Sequence, residues 1–62
     1  MTFHKGDPVT VILPGGYDGP AHLQNCFVVK AYTTGKLELV TADEKAMPIE
    51  THRRHVMEGH LA

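Results

Sequence analysis

Sixty-two residues allow one domain and leave no room for a second core. A chain this short buries only about 60% of the surface its unfolded form exposes, so it has little stability to spare. Six Lys and Arg against seven Asp and Glu give a formal charge of −1, without the basic excess of a strongly electrostatic nucleic-acid binder.

Cys26 is the only cysteine, which excludes a disulfide within the chain and suits a reducing compartment. No apolar run reaches the roughly 18 residues of a membrane span, and Met1–Asp7 lacks the apolar region of a signal peptide. The expectation is a cytoplasmic protein with no membrane contact, and nothing in the chain points to a cofactor.

Lys5-Gly6-Asp7-Pro8 reads as a turn feeding a strand, because proline is tolerated at a strand's first residue. Val9-Thr10-Val11-Ile12-Leu13 follows, with Val9, Val11 and Leu13 on one face. Pro14 to Pro20 is rich in glycine and proline and is expected to stop regular structure. The resulting loop extends to Asn25, and a loop of that length in a compact domain is often functional.

Phe27–Tyr32 and Lys36–Thr41 read as a hairpin joined by Thr33-Thr34-Gly35. Glycine in third place fits a type I turn closed by a left-handed residue and a G1 bulge. Pairing outward from Tyr32 and Lys36 sets Ala31 opposite Leu37, Lys30 opposite Glu38, Val29 opposite Leu39 and Val28 opposite Val40. Ala31, Val29, Leu37 and Leu39 then face the core, while Lys30 and Glu38 form a cross-strand ion pair. The same register turns Val28, Val40 and Tyr32 outward. A slip of one residue reverses that assignment.

Ala42–Lys45 reads as a polar turn and Ala46–Glu50 as a short strand, which Pro48 places at an edge or a bulge. Thr51–His55 fits a single 3₁₀ turn, and Val56–His60 a last short strand. No helical apolar period extends over ten or more residues, so the chain is all-β. Five short strands with a 3₁₀ turn before the last resemble the SH3-like small barrel. Lys5-Gly6-Asp7-Pro8-Val9-Thr10-Val11 resembles the opening of KOW-type domains, which implies a nucleic-acid role. The proline-rich stretch after that strand departs from the compact turn of those domains.

The candidate chemistry is sparse. His52, His55 and His60, with Glu58 among them, carry imidazoles that bind zinc well. A structural zinc site needs four ligands, usually with cysteine among them, and no metal is expected here. Cys26 needs a base to act as a nucleophile, and His22 is the nearest histidine in sequence, but no orienting group or oxyanion donor accompanies them. Gly15-Gly16 lacks the lysine and helix of a phosphate-binding loop. The chain therefore reads as a non-enzyme.

Recognition of a partner fits better. Tyr17 lies on a loop where folding has little use for an aromatic ring, and tyrosine there is a frequent contact residue. Val28 and Val40, with Tyr32 beside them, form an apolar patch rimmed by charge. The expected function is an interaction module, an accessory product such as a phage or mobile element encodes. It would bind a protein partner or a second copy through Tyr17, Val28, Tyr32 and Val40. The alternative is a nucleic-acid module using Lys5, Arg53 and Arg54, whose guanidinium groups match phosphate oxygens, together with Tyr17. A third reading is a symmetric oligomer with an active site at its centre.

Overall fold

The computed structural model describes residues 2–17 and 19–61. Five strands form one antiparallel sheet: β1 (Pro8–Gly15), β2 (Gly19–Ala31), β3 (Lys36–Thr41), β4 (Pro48–His52) and β5 (Val56–Glu58). Their order across the sheet is β4-β3-β2-β1-β5, and the 3₁₀ turn Arg53–His55 precedes the last strand. The all-β reading and the 3₁₀ turn hold. No helix among the described residues is long and apolar enough to cross a membrane.

The two edge strands, β4 and β5, are joined by three residues only. In a flat sheet four strand spacings of about 4.8 Å would separate them by ~19 Å. The chain from His52 to Val56 reaches at most ~14 Å. The sheet is therefore curled, bringing its edges towards each other at one end. Among the described residues no ladder pairs β4 with β5, so the sheet stays open where the sequence suggested a closed barrel.

The concave face holds the core: Val9 and Val11 from β1, Cys26 and Val28 from β2, and Leu37 and Leu39 from β3. Phe3, Leu13, Ile49 and Val56 pack around it. On the other face Thr10 is also buried, because the C-terminal segment crosses it. The Thr10 hydroxyl lies 2.8 Å from the Gly59 carbonyl and 3.0 Å from Asn25 Oδ1. Asn25 holds Leu61 at both backbone groups, accepting from its N–H and donating to its carbonyl.

The stretch expected as a loop from Pro14 to Asn25 is strand. β1 runs to Gly15, and β2 begins at Gly19, opposite Gly15. Propensity misleads here because Pro14 and Pro20 fall where the β1–β2 register shifts, between Leu13 and Gly15, so the ladder needs fewer donors there. Gly15 permits the close approach: a Cβ at that position would overlap the Pro20 carbonyl. β3 pairs with β2 only from Cys26 onward, and β5 pairs with β1 only at Val9–Val11. Beyond those pairs, β1 and β2 continue as a two-stranded arm.

The turn Thr33-Thr34-Gly35 forms as expected. Gly35 N–H donates to the Tyr32 carbonyl at 3.1 Å, Tyr32 N–H donates to the Lys36 carbonyl at 2.9 Å, and Gly35 has φ +97°. Ala31 pairs with Leu37 and Lys30 with Glu38, also as expected. Then the register shifts: Val28, not Val29, lies opposite Leu39, and Phe27 lies opposite Val40.

Candidate functional site

The shift at Val29 reassigns the proposed contact surface. Val28 is 2% exposed and belongs to the core, so its place in an outer patch is corrected; Val29 is 43% exposed. A β-bulge leaves one residue unpaired and bends its strand. Here that residue is Val29, which stands outward beside Val40 and its β4 partner Pro48. These three residues and the rims of Glu38 and Glu50 line an open, mainly apolar groove. Phe27, opposite Val40 on the same face, is partly exposed and meets the His60 ring edge-on at 4.8 Å.

Tyr32 is half-buried, and its ring is engaged within the chain. Its hydroxyl donates to Glu38 Oε1 at 2.6 Å, which raises the phenol's pKa above its ordinary value. Lys30 Nζ lies 4.8 Å and Lys36 Nζ 5.2 Å from the ring centroid. Lys36 also pairs with Glu50 at 2.9 Å. The expected Lys30–Glu38 ion pair is thus replaced: Glu38 takes the Tyr32 hydroxyl and Lys30 takes the ring. Tyr17 is fully exposed in the turn between β1 and β2, and almost the whole of β2 separates it from Val29. The structure does not join Tyr17 to the outer patch.

Arg53 and Arg54 are exposed, and among the described residues neither forms a salt bridge. Arg53 N–H donates to the Gly35 carbonyl, fixing the 3₁₀ turn against the hairpin. The Arg53 side chain and Phe3 are shared by two adjoining clefts, one bounded by Tyr32 and Thr33, the other by Met57 and Glu58. Lys5 lines neither cleft.

The histidines do not converge. His52 Nδ1 accepts from Arg54 N–H, the His55 ring meets Arg54 Nε, and His60 Nε2 lies 2.8 Å from the Cys26 carbonyl. No group of three or more potential ligands occurs among the described residues. Cys26 is buried, and desolvation, with a smaller effect from the Asp43 carboxylate, pushes its thiol above the ordinary value. His22 is four residues away along the same strand, about 13 Å at the rise of an extended chain, too far to act as its base.

Two contributors escaped the sequence reading. The alternation around Phe27 marks only a strand, and Pro48 signals only a backbone constraint. The one available signal was the possibility of a register slip. Compared with known proteins, the chain matches no family model, no curated protein and no solved structure.

Proposed function

We propose that the chain is a non-enzymatic interaction module whose convex face binds a protein partner. The observation carrying this reading is the bulge, which turns Val29 out beside Val40 and Pro48 while Val28 completes the core. Apolar side chains grouped at a groove and rimmed by polar groups have the make-up of the centre of a protein interface. The Glu38 and Glu50 carboxylates, engaged by the Tyr32 hydroxyl and by Lys36, give the apolar groove a polar rim. The strand order and the 3₁₀ turn are in keeping with an SH3-like module.

The test compares two baits, the natural chain and a Val29→Lys/Val40→Lys variant, in affinity capture followed by quantitative mass spectrometry. A partner should be retained by the first and lost by the second, with identical circular dichroism. Recovery of the same proteins by both baits refutes the reading.

Arg53 and Arg54 are exposed and, among the described residues, neither forms a salt bridge, which favours a second reading, a nucleic-acid module using those residues and Lys5. It requires binding to an oligonucleotide that weakens steeply with salt. A response flat in salt, or no binding, removes it.

A further inference from the structure

A sheet that does not close leaves strand edges, whose unpaired N–H and C=O groups recruit other chains unless something blocks them. The hydrogen bonds show which backbone groups point outward at each edge of this molecule. Arg53 N–H to the Gly35 carbonyl and Thr41 N–H to the Met47 carbonyl orient the odd-numbered residues of β4 inward, towards β3. Pro48, Glu50 and His52 therefore present the outer edge of β4, where proline removes a donor and Glu50 adds a charge. β5 is three residues long and carries Glu58. Gly59 N–H to the Pro8 carbonyl orients the even residues of β1 towards β5, so the arm's β1 edge presents Ile12 and then Pro14, which has no N–H. These three edges are guarded.

The fourth is not. Val28 N–H donates to the Asp7 carbonyl, and Ala42 N–H donates to the Asn25 carbonyl. In this part of β2 the even residues thus face β1 and the odd residues face the β3 side. The β3 ladder ends at Cys26, with Ala42 reaching Asn25, so the backbone N–H and C=O of Leu23 point outward with no partner among the described residues. Gly19–Leu23 is exposed, and Gly19–Gln24 contains no Asp, Glu, Lys or Arg. On the arm's convex face Leu23 lies opposite Ile12, and each is 45% exposed. A two-stranded ribbon is marginal alone in water and gains stability from a further strand.

The geometry points to a two-fold dimer in which the β2 edge around Leu23 pairs antiparallel with the same edge of a second copy. An isologous contact brings each residue near its own counterpart, so it works best where the segment is free of fixed charge. Among the described residues this is the one open edge that meets the condition. Pairing completes the backbone bonds of Leu23 in both copies and sets the two Ile12–Leu23 pairs side by side as one apolar strip. The contact is separate from the convex groove at Val29 and does not depend on it.

The test is sedimentation equilibrium on the natural chain, Leu23→Pro and Val29→Lys. Proline at position 23 removes the outward N–H and the Leu23 side chain but no β1–β2 hydrogen bond, because those bonds run through the neighbouring His22 and Gln24. The natural chain and Val29→Lys should form dimers of equal affinity, and Leu23→Pro should weaken association by about tenfold or more. Amide exchange on the natural chain supplies a second readout, with protection of the Leu23 N–H rising with protein concentration. A monomer at every concentration overturns the proposal. So does a dimer that survives Leu23→Pro, or one in which the Leu23 amide exchanges freely.

Discussion

Val28 and Leu39 face each other across the β2–β3 ladder, both buried, and Val29 beside them has no partner. Two adjacent valines thus carry opposite roles. Val28→Ala removes core volume and should cost about 2 kcal/mol of stability, from lost transfer energy plus a small cavity. Val29→Lys should stay within about 0.5 kcal/mol of the natural chain, as exposed substitutions do. Urea midpoints measure both, and a larger loss at Val29 than at Val28 would show the bulge to be misplaced.

Asn25 bonds to Leu61 and to Thr10, fastening the C-terminal segment over a buried hydroxyl. Asn25→Ala should lower stability by about 1–2 kcal/mol. The Leu61 amide should then exchange with solvent much faster, while the β2–β3 amides remain protected. Unchanged exchange at Leu61 would mean that Asn25 is not the fastening.

Asp43 organises the β3–β4 turn. Its carboxylate accepts from the Thr41 hydroxyl at 2.7 Å and from the N–H groups of Lys45 and Ala46. The Thr41 hydrogen bond is the largest cause holding its pKa below the ordinary 3.8. A depressed folded value stabilises the native state above the ordinary pKa and loses that contribution as pH falls through the folded value. Thermal midpoints of the natural chain should fall on acidification below about pH 4, and those of Asp43→Asn should fall less. Parallel curves for the two proteins would contradict this assignment.

Ala46 has φ +47° in the same turn, the left-handed region that favours glycine. Relief of that strain outweighs the entropy lost when an unfolded glycine is ordered, so Ala46→Gly should raise stability by about 0.5–1 kcal/mol. A lower urea midpoint for Ala46→Gly would be the contrary result. Nothing in the residue type announces the strained position, which is set by the need to return the chain from Thr41 to Pro48.

Much of the local structure was legible. Gly35 marked its turn because few residues accept that backbone conformation, and Lys36–Thr41 was read to the residue from its alternation. Pro48 marked an edge, since the outer side of β4 has no ladder partner that would need its missing N–H. The arm was not legible, because Pro14, Gly15, Gly19 and Pro20 break strands in general. Here the irregular register at the arm's end accommodates all four. The groove is legible only in half: alternation turns Val40 outward, but it gives Val28 as its neighbour where the bulge supplies Val29.

By itself the sequence determined an all-β chain, a hairpin closed at Gly35 and the pairing from Tyr32–Lys36 to Lys30–Glu38. All of these follow from turn chemistry and alternation within a dozen residues. Only the tertiary structure decided which of Val28 and Val29 enters the core. The two side chains are identical, so no local preference separates them. The choice falls to the bend that lets β2 pair with β3 on one side and β1 on the other around a common interior, and the bulge at Val29 provides that bend.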